Sequence, residues 1–230
     1  MFPSLAEPIG TTQQYIEFAK LSEKSVAIDL GAYSGLASML FDMEISKNNK
    51  NAEGKVVAVD ADLKNVECIK YNLSEYKKCT GKHIEYINAA VSSFDGTVGF
   101  CCDGCLGAAI IKFVGARGSV SKIPCVKLST IAKKYNLKRV DFIKCDIEGA
   151  EVDVFNDREF FEKYSPRMIV ECHRLSNGLT TDTVVKCLKK VGYSCKEVEQ
   201  IGFDLPLLEC VPTFAKKTLH FLKKYLCFNS

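Results

Sequence analysis

The chain has 230 residues, 47% of them hydrophobic and 26% charged, with a net charge of +3. That length suits one domain with a single well-buried core, and the near-neutral balance excludes a broadly basic nucleic-acid surface. The charge is uneven: Lys216, Lys217, Lys223 and Lys224 give residues 214–230 a charge of +4 with no acid, leaving the body near −1. The opening MFPSLAEPIG lacks the charged and apolar regions of a secretory signal, and no apolar run approaches the ~20 residues of a membrane span. Twelve cysteines are scattered through apparent strands and helices, as expected of reduced, buried thiols, and a cytoplasmic location is expected. In Cys101–Cys105 a single C-x-x-C has no second pair or spaced His to complete a zinc site.

In chain order, TTQQYIEFAKL (11–21) predicts a helix against the first strand, capped by Thr11 or Thr12, within an N-terminal segment 1–24. SVAIDL (25–30), KVVAVD (55–60), HIEYINAAV (83–91), VDFIKCD (140–146) and PRMIVEC (166–172) read as strands, several continuous enough for a sheet covered on both faces. Helical patterns follow the first, second and fourth of these: GLASMLFDM, LKNVECIKYNL and AEVDVFNDREFFEKY. Between the third and fourth strands, residues 96–127 are Gly-rich with short β-like pieces, and STIAKKYNL then predicts a capped helix. After a further helix in TDTVVKCLKKVGY, the runs YSCKEVEQIG and LPLLECVP predict an antiparallel edge hairpin, with Pro206 restricting where pairing begins. Alternating strands and helices predict an α/β, doubly wound, Rossmann-like sheet, mostly parallel, over residues 25–212.

AIDLGAYSG (27–35) ends a strand with an acid, Asp29, and two glycines, Gly31 and Gly35, before a helix. Such a turn lets a ligand approach the backbone at a helix N-terminus. A dinucleotide fingerprint fails because Tyr33 and Leu36 stand where glycines belong, and no Gly-Lys-Ser/Thr follows for a P-loop. The D-x-G-x-x-x-G arrangement resembles motif I of class I S-adenosylmethionine-dependent methyltransferases. That cofactor carries an ammonium, a carboxylate and a sulfonium. Asp29 can attract the ammonium, while Gly31, Ala32 and Gly35 line the turn that receives the carboxylate. Asp60, followed by Ala61, ends the second strand where a carboxylate can accept ribose hydroxyls, and Asn88, Ala89 and Ala90 end the third where small side chains admit adenine.

With KCDIEGAE (144–151) and IVECH (169–173) included, residues 25–175 resemble the FkbM-type methyltransferase family. The resemblance implies transfer of a methyl group from S-adenosyl-L-methionine to a hydroxyl of a sugar, glycan, lipid or other metabolite; from the charge balance no nucleic-acid partner is expected. Tyr33 replaces the family's usual Asn, and Asp60-Ala61 its Glu-Pro. Transfer to nitrogen or to a macromolecule, and a non-catalytic binding module, are the alternatives.

The acidic strand end is where such chemistry belongs. Asp146 is the first candidate to contact the cofactor's methionine end or the acceptor hydroxyl, and Lys144, two residues earlier, can hold or neutralise it. Glu148 precedes Gly149 at the turn and is directed into the crevice as base or ligand. Glu151 falls in a first helical turn, where the macrodipole favours an acid without catalytic duty. Glu171 and His173 flank Cys172 at the next strand end, and His173 suits general-base work. Two mechanisms stay open: direct proton removal by His173 or Glu148, or a divalent ion held by Asp146, Glu148 and Glu171. The first is preferred, with no metal ligand assigned. In the tail, residues 213–228 form a basic amphipathic pattern capped by Thr213. It can touch an anionic membrane surface, although packing on the domain or a dimer partner is preferred, and the sequence leaves the oligomeric state undetermined.

Overall fold

The computed structural model describes residues 1–2, 9–101, 109–110, 120–176, 178–216 and 218. The chain runs through α1 (Ile9–Ala19), β1 (Val26–Leu30), α2 (Leu36–Ser46), β2 (Lys55–Asp60), α3 (Leu63–Thr80) and β3 (Glu85–Asn88). A small-sheet excursion follows: β4 (Ala90–Val91), β5 (Gly96–Cys101) and β6 (Val120–Val126). The second half comprises α4 (Leu128–Lys134), β7 (Phe142–Cys145), α5 (Glu151–Val154), α6 (Arg158–Lys163) and β8 (Arg167–Glu171). Last come β9 (Arg174–Leu175), β10 (Gly178–Leu179), α7 (Thr181–Lys190), β11 (Tyr193–Glu199) and β12 (Pro206–Pro212).

The main sheet has seven strands in the order β11-β12-β8-β7-β1-β2-β3. Its five inner and right-hand strands are parallel; β12 pairs antiparallel to β8, and β11 antiparallel to β12. The edge hairpin begins its return at Pro206, opposite Glu199, as a proline without an N–H to donate favours. Val26, Ile28, Leu30, Val57 and Ile143 point to one face, against Leu128, Ile131, Phe155, Phe160, Val184 and Leu188 of α4 to α7 and their flanks. Ala27, Val56, Ala58 and Phe142 point to the other, against Tyr15, Phe18, Phe41, Ile69 and Leu73 of α1 to α3. This double cover explains the unbroken apolar strands, because alternation disappears when both faces are buried.

Three expectations are corrected. The run 83–91 is two strands: Ala89 donates its N–H to Asp60 O at 3.0 Å, and Ala90–Val91 leave the main sheet to pair with β6. The helix expected over 150–164 is two, because Asp157 turns its carboxylate onto the backbone. It accepts from Phe160 N at 3.2 Å to cap α6 and from Ser129 N at 2.7 Å in the first turn of α4. Finally, α1 starts at Ile9, so Thr11 and Thr12 are buried within its first turn instead of capping it.

Most of Cys101–Cys105 and of the basic tail lies outside the described residues. Of the tail, Lys216 is no solvated charge: its Nζ donates to Phe161 O at 2.8 Å and Val191 O at 2.7 Å, receiving the chain ends of α6 and α7.

Candidate active site

The parallel strands β1, β2, β7 and β8 deliver their C-terminal ends to one rim of the sheet, where open α/β folds bind ligands. A crevice opens there, lined by Gly31 and Tyr33 after β1, Asp60 and Ala61 after β2, Phe100 of β5, and Asp146 and Glu148 after β7.

Gly31 shapes its floor. The residue has φ 75°, and a Cβ at that position would stand 1.7 Å from Asp146 O. Only glycine permits this contact between the β1 turn and the β7 turn. Gly31 and Ala32 both donate N–H to Val59 O, at 2.9 and 3.0 Å, fastening the turn to β2. Gly35, also left-handed with φ 81°, precedes α2.

Asp60 forms the next wall. Its Oδ2 accepts from Tyr33 N at 2.8 Å, and its Oδ1 from Asp62 N at 2.9 Å and Asn65 Nδ2 at 3.2 Å. Burial nevertheless pushes its pKa up to about 7, against the lowering effect of those three donors. Asn88 turns away, donating to Asp60 O and Ala61 O, and leaves Ala89, Ala90, Val91, Phe100 and Ile110 as an apolar wall. Phe100 comes from β5 of the small sheet and Ile110 pairs with it in an isolated bridge; no sequence motif marks either residue. Asn65, five residues after Asp60 in the first turn of α3, is unmarked as well, although its spacing could have signalled it.

The remaining end is acidic. Gly31, Asp60, Ala61, Ala89, Ala90, Asp146 and Glu148 all line the crevice, whereas Asp29, Ala32, Gly35 and Lys144 do not. Asp29 is fully buried; its Oδ2 accepts from Ser38 Oγ at 2.6 Å, and its Oδ1 lies 3.6 Å from Lys144 Nζ. The register of β1 and β7 sets Asp29 directly beside Lys144. Lys144 Nζ also donates to Gly31 O at 2.7 Å and stands 3.3 Å from Asp146 Oδ2. Asp29 thus lies behind the crevice lining, in contact with Ser38 and Lys144. Asp29 positions Lys144, and Lys144 positions the Gly31 turn and Asp146.

Glu148 has φ 52°, a left-handed conformation that costs a non-glycine residue ~1–3 kcal/mol and is held only where the surroundings enforce it. It half-exposes its carboxylate to the crevice, 3.4 Å from His173 Nε2. His173 lies just behind, buried, with Asp146 and Glu171 oxygens also 3.4 Å from Nε2 and Glu151 Oε1 3.3 Å from Nδ1. Burial disfavours its charge, but the four carboxylates of Asp146, Glu148, Glu151 and Glu171 outweigh that and hold it protonated far above the ordinary histidine range. Of the two base candidates, Glu148 lines the crevice and His173 sits behind it. Burial works to raise Asp146 too, yet Lys144 and His173 prevail and keep it ionised.

Glu151 is fully buried and structural in a specific way. It accepts from His173 N at 3.0 Å, Thr180 Oγ1 at 2.7 Å and Gly149 N at 2.8 Å, tying β8, the start of α7 and the β7 turn together. A helix macrodipole alone does not explain it.

A profile of the methyltransferase FkbM domain matches residues 29–195. No curated protein sequence matches the chain. Among solved structures, precorrin-6y C5,15-methyltransferase from Geobacter metallireducens GS-15 is 12% identical with a TM-score of 0.55, covering 91% of each chain. Precorrin 8W decarboxylase from Methanobacterium thermoautotrophicum is 13% identical with a TM-score of 0.52, covering 92% of this chain and 95% of its own. Cofactor-bound Rv0187 from MTB is 10% identical with a TM-score of 0.53, covering 91% of this chain and 83% of its own. At these identities the likeness concerns the fold, the class I methyltransferase arrangement of alternating strands and helices.

Proposed function

The chain belongs to the FkbM methyltransferase family, and on that premise we propose that it O-methylates a hydroxyl of a sugar, glycan, lipid or other metabolite. The observation that carries this reading is the crevice itself. An apolar trough ends in Asp60 on one side and opens on the other toward the carboxylates of Asp146 and Glu148.

The residues present fit S-adenosyl-L-methionine. Asp60 is the carboxylate for the ribose hydroxyls, Ala89, Ala90, Phe100 and Ile110 offer an apolar bed for adenine, and the Gly31 backbone brings the β1 turn close to the methionine end. When bound, that molecule supplies a methyl group already activated on a sulfonium. Asp146, kept ionised, favours positive charge at the same end. What the protein must add is alignment of the acceptor and removal of its proton. Glu148 is the residue for the second task, since its carboxylate reaches the crevice and a strained backbone directs it there. As the acceptor oxygen gains the methyl group, its proton passes to Glu148.

Acceptor choice belongs to the segments that rim this end of the sheet. These are the turn from His173 to Thr180, with half-exposed Leu179, and residues 201–205 between β11 and β12, with exposed Ile201 and Phe203. Both lie beyond the nucleoside trough, and neither is strongly basic, which favours a metabolite over a nucleic acid.

The test follows labelled methyl groups from the cofactor into extracts of metabolites, comparing the wild type with Glu148→Gln. The variant is expected to lose ~10²–10⁴-fold in kcat while binding S-adenosylhomocysteine as the wild type does. Label arriving on nitrogen or on a macromolecule would displace the O-methylation reading. Unchanged turnover in E148Q would remove Glu148 from the base role.

A further inference from the structure

His173 Nε2 lies 3.4 Å from each of three carboxylate oxygens, on Asp146, Glu148 and Glu171. One N–H can be aimed at one acceptor, and an N–H···O bond runs ~2.7–3.2 Å. Nε2 makes no such bond, although the side chain is only 7% exposed. Equal spacing from three oxygens is poor geometry for a donor. It is good geometry for a ligand nitrogen among its co-ligands, since metal bonds of ~2.1 Å place neighbouring donors roughly 3.0–3.4 Å apart. Donor atoms of Asp146, Glu171 and His173 all fall within 4.8 Å of one another, so a small inward movement brings them around one centre.

The surroundings agree. The other ring nitrogen faces Glu151 Oε1 at 3.3 Å, and that carboxylate is itself fixed by Thr180 and Gly149. When a cation takes the place of the Nε2 proton, the carboxylate behind Nδ1 keeps the other proton on Nδ1 and directs Nε2 at the metal, the usual outer partner of a metal-bound histidine. Glu171 is steadied from behind by Gln200 Nε2. Charge points the same way: among the described residues, Asp29, Asp146, Glu148, Glu151 and Glu171 are ion-paired with two side chains, Lys144 and His173. Such an excess of negative charge is costly in a poorly solvated site unless a further cation shares it. Asp146 and Glu148 are 30% and 27% exposed and line the crevice, so the open side of this centre faces the place where an acceptor would sit.

We infer that Asp146, Glu171 and His173 bind a divalent cation of the Mn²⁺ or Mg²⁺ class, open toward the crevice, where it takes the acceptor hydroxyl. The assignment rests on the O-methyltransferase reading for its role, but not for its existence. One imidazole with two carboxylates and open positions suits such a hard, oxygen-preferring ion. As a Lewis acid it lowers the pKa of the hydroxyl, whose O–H bond then breaks with the proton on Glu148. The oxygen–methyl bond forms as the sulfur–methyl bond breaks, and no electron is gained or lost.

The experiment titrates the full chain, stripped with chelator, with Mn²⁺, following the free-ion electron paramagnetic resonance signal, with S-adenosylhomocysteine calorimetry on the same samples. One ion per chain is expected, with a dissociation constant below about 1 mM and competition by Mg²⁺. Glu171→Gln, nearly isosteric, should weaken Mn²⁺ at least as much as loss of an outer partner does, about 10–100-fold, without weakening S-adenosylhomocysteine. A readout independent of any variant comes from imidazole NMR: of the three histidines, only His173 should broaden at substoichiometric Mn²⁺. No Mn²⁺ binding in protein that takes up S-adenosylhomocysteine overturns the cation site and leaves His173 as an imidazolium clamp. Broadening at His83 or His220 instead of His173 overturns it too. Mn²⁺ binding at His173 without S-adenosylhomocysteine binding would keep the site and sink the methyltransferase role assigned to it.

Discussion

Replacing Gly31 by alanine is the most direct probe of how the site is built. Two separable penalties arise. The first is conformational, because φ 75° costs an L-residue ~1–2 kcal/mol. The second is steric, because the new Cβ would stand 1.7 Å from the Asp146 carbonyl oxygen. That neighbour is backbone, so relief requires moving the β1 or the β7 turn, at an overpacking cost of ~1–3 kcal/mol. The movement also strains the Lys144 Nζ to Gly31 O hydrogen bond of 2.7 Å and the Asp146 N to Leu30 O bond of 3.1 Å. A total of about 2–5 kcal/mol is a large part of the ~5–15 kcal/mol that holds a typical protein folded, and should lower Tm by about 10 °C. Gly35→Ala is the control. It shares the left-handed backbone, but its Cβ would meet Leu73 at an ordinary 3.6 Å, so only the ~1–2 kcal/mol conformational cost applies. Urea unfolding of both variants measures the difference. If G31A is destabilised no more than G35A, the close contact between the two turns is not what requires glycine.

Two further outcomes follow. Asp60, lifted by burial to about 7 from an ordinary 3.8, keeps its proton to higher pH when folded than when unfolded. In ligand-free protein its contribution to stability is therefore full below about pH 4 and declines as pH rises through about 7. Binding that uses the ionised carboxylate runs the other way: S-adenosylhomocysteine affinity should rise about tenfold from pH 6 to pH 8, and D60N should flatten the profile; an equally steep profile in D60N would exclude Asp60 as its source. Asp157→Ala uncaps two helices at once, so chemical denaturation should register a loss of about 2–3 kcal/mol, and a loss below 1 kcal/mol would mean that the Ser129 and Phe160 amides find other acceptors.

The strands and their ends were legible because they rest on short-range pattern. Continuous apolar runs named the parallel sheet, and D-x-G, Asp60 and KCDIEGAE marked where three of its strands stop. What escaped depends on contacts distant in sequence. Phe100 and Ile110 reach the crevice only because Ala89 directs the chain into a second sheet, and nothing local to either residue announces that. Glu151 looked like an ordinary first-turn acid because its partners, His173 and Thr180, are 22 and 29 residues away. Asp29 carried the right residue type at the right strand end, but its burial beneath Lys144 is set by the β1–β7 register, which one strand cannot reveal. The break at Asp157 was visible in principle, since an Asp preceded by Asn inside a helical pattern is a cap as readily as an interior residue.

The hairpin that closes the sheet edge has a spatial consequence for anything carried by the tail. Because β12 runs opposite to β8, Pro212 emerges at the edge where the parallel strands begin, while the crevice lies where they end. Lys216 then clips the departing chain to Phe161 and Val191 on that same side. A membrane or partner held immediately beyond this clip would stand behind the catalytic rim, separated from it by the length of a strand, roughly 17 Å.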